Sequence, residues 1–430
     1  MRIVILGAGV VGTTTAYYLS REGHEVEVLD AKGIAEAASG VNAGLLVPGD
    51  STVWAAPQTL RKLPGVLFGA SSGGIVVKPA AGFDMIPWGL RFLRECTGSR
   101  NLMNVGAAHR LSRYSYLLLQ DLALNEGIEF GHQQNGMVFL FSSENALASD
   151  LQSRARLMDQ GEKYESLSSS QLAKLDAAFG TASKYYPFAR YSSSSGHGDC
   201  RQMSNALASR AVDSGAKFHL KRSVTALRRN DSGIICVETN DGDVTGDAYV
   251  LAAGSGSADL ARTIGLNLFV TPAKGYSVTV PISDSSMVPF VGGVVEDAHV
   301  AFSRTATHLR VSSGAEFSGA TSKTPEGAYD SIRATSNKLF PNALDWDKGT
   351  FTSGLRPMTP RGTPLIGKTH LGNLYLNTGH GHLGWTQACG SARILSDLIA
   401  ERTPEISAEP YSPKTGYSTT NSWFRVPFGN

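Results

Sequence analysis

The first twelve residues constrain this chain more than any other stretch. Arg2 to Leu6 is a short apolar run, and Gly7-Ala8-Gly9-Val10-Val11-Gly12 comes directly after it. Thr13 to Glu22 then carries Ala16, Tyr17 and Leu19 at helical spacing, Gly23 ends that segment, and His24 to Asp30 alternates through Val26 and Val28. The pattern predicts a buried strand, a tight turn, a helix and a second strand. Gly7 allows the turn, Gly9 lets the backbone approach a pyrophosphate, and Gly12 lets helix and strand pack closely. The helix start offers free N–H groups, including those of Val10 and Val11, and a partial positive charge to phosphates. Asp30 ends the second strand, where a carboxylate receives ribose hydroxyls and repels a 2′-phosphate. The turn therefore specifies a dinucleotide and disfavours NADP, but by itself it does not separate FAD from NAD.

The residues after this unit favour FAD. A nicotinamide dehydrogenase would continue with regular βαβ crossovers. Here Ser39-Gly40-Val41-Asn42-Ala43-Gly44 comes next, small enough for backbone amides to approach a flavin. Arg110 to Gly127 and Gln202 to Gly215 read as helices, and Gly136 to Phe141 and Phe218 to Leu227 as strands. Ile234 to Thr239, Gly242 to Thr245 and Ala248 to Leu251 suggest a meander feeding Ala252-Ala253-Gly254. Tyr276 to Val280, Val294 to Ser303 and His308 to Ser312 alternate like an antiparallel sheet with one face covered. Asn373 to Thr378 reads as a late strand and Trp385 to Ala400 as a closing helix. The expected fold is α/β (α+β overall), a Rossmann-like FAD-binding lobe with an inserted antiparallel β-sheet substrate lobe. Residues 1–80, 196–270 and 351–405 build the first lobe, 81–195 and 271–350 the second, and 406–430 an extended Pro/Ser/Thr-rich tail.

Composition excludes several classes. With 42% hydrophobic and 18% charged residues the chain is globular, and a formal charge of +2 offers nothing to nucleic acid. The cluster Lys221, Arg222, Arg228 and Arg229 reads as a solvated face. Cys96, Cys200, Cys236 and Cys389 lack metal or CxxC spacing and read as buried thiols of a reducing, cytoplasmic compartment. No window offers the ~20 apolar residues of a spanning helix. Leu63 to Leu90 is broken by prolines and glycines, and reads as an insertion covering the core or as a peripheral membrane contact. Nothing in the sequence specifies an oligomeric state.

Gly379-His380-Gly381-His382-Leu383-Gly384 repeats the glycine pattern between a strand and a helix. No second strand with a terminal acid comes after it, so it reads as a helix N-terminus aimed at a flavin and not as a second dinucleotide site. His380 and His382 have no carboxylate or cysteine companions, and no metal is expected.

Taken in order, these pieces resemble the D-amino-acid dehydrogenase family within the D-amino-acid oxidase-like flavoenzymes. They are Ile3 to Asp30, Asn42-Ala43-Gly44, Gly198-Asp199-Cys200, Lys274-Gly275-Tyr276-Ser277, Gly354 to Pro360, Gly362-Thr363-Pro364 and Leu376 to Trp385, spread over residues 1–400. The resemblance implies FAD, oxidative deamination of a D-amino acid, and electrons passed to a quinone-type acceptor. It also implies cofactor contacts from Gly7, Gly9, Val10, Val11, Gly12, Asp30, Ala31, Ser39, Asn42, Ala43, Gly44, Leu45, Val224, Ala253, Gly254, Gly381, His382, Leu383, Gly384 and Thr386. The sequence departs from the family's pattern at Ala38 to Gly44, at Val53-Trp54-Ala55-Ala56-Pro57, in glycine-rich 65–82 and beyond Pro404. These departures bear on substrate size and acceptor more than on chemistry.

Hydride transfer from Cα to a flavin N5 needs no protein nucleophile; it needs the carboxylate held and the amine neutral. An arginine fork suits a carboxylate best, and the resemblance gives that part to Arg356. Tyr276 is a second candidate, either for the carboxylate or for the pocket wall, and Lys274 a third. Within the class, D-proline or D-hydroxyproline dehydrogenase and sarcosine or glycine oxidase are alternatives; outside it, a non-catalytic FAD subunit.

Overall fold

The computed structural model of the protein describes residues 1–60, 75–78, 85–319 and 323–419. Two sheets organise it. The first has six strands in the order Leu365–Lys368, Leu374–Thr378, Ala248–Leu251, Arg2–Leu6, Glu25–Asp30, Lys217–Leu220. Its pairs are parallel except Leu365–Lys368 against Leu374–Thr378. Arg2–Leu6 lies inside the sheet, and Ile3, Val4, Ile5 and Leu6 are fully buried, as a central parallel strand requires. Helix Val10–Arg21 packs against helices Gly384–Ile399 and Cys200–Asp213, and Gly384–Ile399 packs in turn against the long helix Gly98–Glu126. Strands far apart in sequence thus lie side by side in one α/β layer.

The second sheet has nine strands. Thr350–Met358, Thr271–Pro281, His308–Phe317, Val300–Arg304 and Gly292–Val295 run antiparallel in that order. Met137–Phe141, Phe188–Ser192 and Tyr164–Ser168 continue it. The sheet is mixed and not purely antiparallel, because Gly292–Val295 pairs parallel with Met137–Phe141 and Ile75–Val77 pairs parallel with His308–Phe317. Alternation along one strand cannot reveal the direction of a neighbour supplied by a distant segment.

Other local expectations change as well. Phe218 to Leu227 is not one strand: Lys221 takes a positive φ of 59°, Lys217–Leu220 stays in the first sheet, and Val224–Arg229 leaves to form a hairpin with Ile234–Thr239. The expected meander is therefore this hairpin plus Ala248–Leu251, which belongs to the six-stranded sheet. The helix expected from Arg110 begins at Gly98, and it ends at Gly127 in the left-handed region. Val294 to Ser303 splits into two strands, Gly292–Val295 and Val300–Arg304. The tail is not extended throughout its described part, since Glu409–Tyr411 and Pro413–Thr415 are short helical turns. Tyr411 is buried and donates to the Ala107 carbonyl at 2.8 Å, while Tyr417–Thr419 pairs with Leu266–Leu268. Much of the stretch Leu63 to Leu90, namely 63–74 and 79–84, lies outside the described residues; Met85–Glu95 is a helix. Among the described residues no helix is long and apolar enough to cross a membrane, and all four cysteines are buried free thiols.

Candidate active site

The N-terminal turn is built by close contacts that only glycine permits. Gly7 has φ +113°, and a Cβ there would lie 2.6 Å from the Ala252 carbonyl oxygen. A Cβ on Gly12 would lie 1.9 Å from the Gly7 oxygen. Gly9 differs: a Cβ would meet only the Ser39 hydroxyl, at 3.2 Å, so its glycine is not demanded by packing against the protein's own backbone. Gly9 also caps helix Val10–Arg21 without a side chain, leaving that end to Ser39, whose Oγ accepts from the Val10 N–H at 3.0 Å. The Val10 N–H is thus taken, and the rest of the backbone cradle at the helix start is a geometry that fits a pyrophosphate.

Other sequence-selected residues gather around this turn. The Asp30 carboxylate accepts from the Ala8 and Lys32 N–H groups, both at 2.8 Å, which places Ala31 beside it. The Arg222 N–H donates to the Asp30 carbonyl at 2.9 Å and so brings Val224 nearby. Ala253 and Gly254 come directly after Ala252, whose carbonyl a Cβ on Gly7 would meet. Further along, Asn42 donates to the Ser39 carbonyl and accepts from the Gly44 N–H, both at 2.8 Å. Ser303 of the nine-stranded sheet donates to the Ala43 carbonyl at 2.6 Å, and Leu45 pairs with His197. The Val47 N–H donates to the Thr386 hydroxyl at 3.2 Å. The segment 39–47 thus ties both sheets and the closing helix together.

At the far end, the C-terminal turn meets the arginine strand. His380 forms a bridge with Met358, and a Cβ on Gly381 (φ +58°) would approach the Met358 sulfur at 3.2 Å. Arg356, on the same strand, donates to the Gly314 carbonyl at 2.6 Å and lies across Gly275, where a Cβ would come within 2.6 Å of the guanidinium. It is half-buried, and among the described residues no carboxylate pairs with it. Burial pulls its pKa down to about 10, so it is a charged fork held in place without a counter-ion among the described residues. His382 keeps exposed surface although it lies deep among protein atoms, as a group lining a hollow does; burial, then the Arg356 charge, lowers it to about 4. Its ring bonds to the Thr52 backbone and stacks on Trp54, with centroids 5.4 Å apart and planes 14° off parallel. Leu383 and Thr386 are buried behind it, with Gly384 half-buried between them.

Two sequence candidates are not turned into this hollow. Tyr276 belongs to the apolar core with Val278 and Val280, and donates to Glu316 at 3.1 Å, which is itself paired with Lys78 at 3.1 Å. Lys274 is buried and donates to the Lys323 carbonyl at 2.8 Å. Both flank Gly275, and side chains alternate faces along a strand, so the face that carries Arg356 is the glycine's. We expect Tyr276→Phe to change kcat and KM by no more than about threefold while costing roughly 1–2 kcal/mol of stability for the lost bond to a carboxylate, read by denaturant titration beside steady-state kinetics. Conversely, Trp54, Thr52 and Met358 reach the site although no sequence motif assigns them to it. The signals are the Trp54-Ala55-Ala56-Pro57 element and the Gly354 to Pro360 piece that contains Met358. Just upstream, burial alone would raise the Asp50 carboxyl, but Arg190 (2.8 Å) and Arg154 (3.0 Å) hold it below its usual range and anchor this segment.

His380 is buried, its Nε2 has no partner among the described residues, and burial pushes it to about 3 from an ordinary 6.5. A histidine depressed on folding keeps its contribution above the unfolded pKa and loses it as pH falls toward the folded one. Stability should therefore decline from about pH 6.5 downward, by an amount on the order of a few kcal/mol by pH 4. His380→Asn should flatten that slope in thermal melts run across this range.

Comparisons with known proteins agree with one another. The profile of a family described as FAD dependent oxidoreductase matches residues 2–398. The chain is 38% identical over 413 residues to D-amino acid dehydrogenase 2 of Mesorhizobium japonicum, covering 95% of this chain and 99% of that one. It is 38% identical over 410 residues to a D-amino acid dehydrogenase of Azorhizobium caulinodans, covering 95% and 98%. Among solved structures it resembles glycine oxidase from Geobacillus kaustophilus (TM-score 0.72, 19% identity, covering 96% of this chain and 98% of that one). It also resembles L-proline dehydrogenase from P. horikoshii (TM-score 0.72, 16% identity, 96% of each chain). At those identities the structural likeness speaks for the fold alone.

Proposed function

The chain belongs to the FAD-dependent oxidoreductase family, and from that premise we propose that it oxidatively deaminates D-amino acids. Two relatives of nearly equal length, both named D-amino acid dehydrogenase, support the substrate class. The observation that carries the reading to a site is Arg356, a cation without a carboxylate partner among the described residues, set beside a neutral histidine at the meeting of the two sheets.

Gly7, Gly9, Gly12 and the N–H groups that open helix Val10–Arg21 are suited to hold the pyrophosphate, and Asp30 the ribose. The stretch Ser39 to Leu45 and the turn Gly381 to Gly384 are suited to the isoalloxazine. FAD, when bound, supplies the two-electron acceptor for the hydride that leaves Cα. Arg356 takes the substrate carboxylate in two parallel charge-assisted bonds, and its tie to the Gly314 carbonyl fixes the direction of the fork. His382 stays uncharged at neutral pH, so it adds no second cation to the hollow. A fixed cation next to the substrate's ammonium favours loss of a proton to the neutral amine, which is the form that gives up hydride. Water then hydrolyses the released imine to the 2-oxo acid and ammonia.

The relatives' names are dehydrogenases, which supports a quinone-type acceptor in place of oxygen. A cytoplasmic location with contact at the inner face of the membrane suits such an acceptor. Helix Met85–Glu95 offers a means: it buries Trp88 and exposes Ile86 and Leu90. The reading is tested by incubating purified protein with D-alanine and an artificial quinone, and measuring pyruvate and ammonia. Equimolar products, with little oxygen consumed, are expected. Products from the L-enantiomer alone, or none from a panel of D-amino acids, contradict it.

A further inference from the structure

A second concavity lies away from the residues gathered around Arg356 and His382. It has a volume of about 1000 Å³, at the upper end of the range of small-ligand sites. Its walls come from segments far apart in sequence: the first half of helix Gly98–Glu126, the short helix Ala155–Asp159 with Gln160, the turn at Arg361, the edge strand Leu365–Lys368, and residues 408–414.

Its charge is one-sided. Arg110, Arg156, Arg361, Lys368 and Lys414 all line it, against Glu409 as the single lining carboxylate. Arg361 bonds Asn104 at 3.3 Å. The other four cations carry no ion pair among the described residues, although the chain has nearly as many acidic residues as basic ones to offer. Lone surface cations are ordinary when scattered. Here four such cations, joined by Arg361, face one hollow from separate segments, and low-dielectric walls concentrate their field.

Two glycines, Gly106 and Gly367, lie in its lining. A Cβ on Gly106 would come within 3.5 Å of Arg110 Nη1 and 3.8 Å of Gln160 Nε2, so donors from two helical segments converge above a residue without a side chain. Gly367 has φ +122°, and a Cβ there would press on Leu398 and Pro413 at 3.2 and 3.6 Å. Beside the cations the rim is apolar, with Leu102 and Met103 exposed to 39% and 63%. Converging donors, surplus positive charge and an apolar rim describe a receptor for an anion that carries a hydrocarbon arm.

We propose that this cleft is a second binding site, for a phosphate-bearing ligand whose apolar arm lies on Leu102 and Met103. Phosphate gives several acceptor oxygens to a ring of arginines and lysines, more than one carboxylate does. The phosphate has two sources, a lipid headgroup or a free phosphorylated small molecule, and the test separates them. Yellow, FAD-loaded full-length protein is titrated calorimetrically with inorganic pyrophosphate. In parallel it is floated with vesicles of phosphatidylglycerol and, separately, of phosphatidylcholine.

Variants Arg110→Glu and Lys368→Glu are compared with Lys184→Glu, an exposed lysine on the other lobe that makes the same change in net charge. Binding to either probe should weaken about tenfold or more in each cleft variant and stay within about twofold in the control. Flotation with phosphatidylglycerol alone assigns the lipid source, and pyrophosphate binding without flotation assigns the free one. Deamination kinetics should be unchanged in all three variants, which also shows that they fold. No binding of either probe overturns the proposal. So does binding that the cleft variants leave intact, or an equal loss in Lys184→Glu.

Discussion

Arg356→Ala should lower kcat/KM for a D-amino acid by about a hundredfold or more while the protein stays yellow. The effect is electrostatic. The guanidinium is already desolvated, already oriented by the Gly314 carbonyl, and unpaired with any described carboxylate. A substrate carboxylate placed there completes a buried charged pair, and removing one member of such a pair costs roughly 3 kcal/mol, which is more than a factor of 100. The loss should fall mainly on KM, because the carboxylate is bound before and after the hydride leaves. Arg356→Lys should recover only part, since one ammonium cannot make two parallel bonds. Kinetics unchanged in Arg356→Ala would remove the arginine from the site.

Gly9→Val should yield folded but colourless protein. This variant separates binding from folding in a way that its neighbours cannot. At Gly12 any side chain drives into the Gly7 oxygen at 1.9 Å, and at Gly7 into the Ala252 oxygen at 2.6 Å, so substitution there disturbs the protein itself. At Gly9 a Cβ meets a single serine hydroxyl at 3.2 Å, which can turn aside. On the proposed role of this turn, the rest of the valine would fill space that a pyrophosphate needs. The absorbance ratio of flavin to protein and the far-UV circular dichroism, read together, check it. A fully loaded yellow variant would contradict the phosphate role of this turn.

The pieces legible in the sequence are those whose physics is local. The opening strand, turn and helix announce themselves because the glycine spacing, the apolar run and the amphipathic stripe lie within one short window. The C-terminal turn is legible for the same reason. Register and direction are not. Lys221 gives no sign, as a lysine, that it takes the left-handed region and ends a strand. Tyr276 and Gly275 are adjacent letters, but only the pairing of Ala273 with Arg356 and Gly275 with Gly354 shows which face carries the arginine. Trp54 reaches His382 through a segment anchored by Asp50 on arginines more than a hundred residues away. The tail reads as extended because Pro, Ser and Thr dominate it, yet the side chain of Tyr411 finds a buried place.

The proposed function joins two ends of one site: Gly7 to Gly12 as a dinucleotide cradle, and Arg356 beside the turn of His382 as a carboxylate anchor. The most direct test of that union is anaerobic addition of D-alanine, L-alanine, D-proline and sarcosine, each alone, to the purified yellow protein. D-Alanine should remove the oxidised flavin's visible absorbance within the time of a turnover, and L-alanine should leave it intact. A flavin that no D-amino acid bleaches, or that L-alanine bleaches faster, would contradict it.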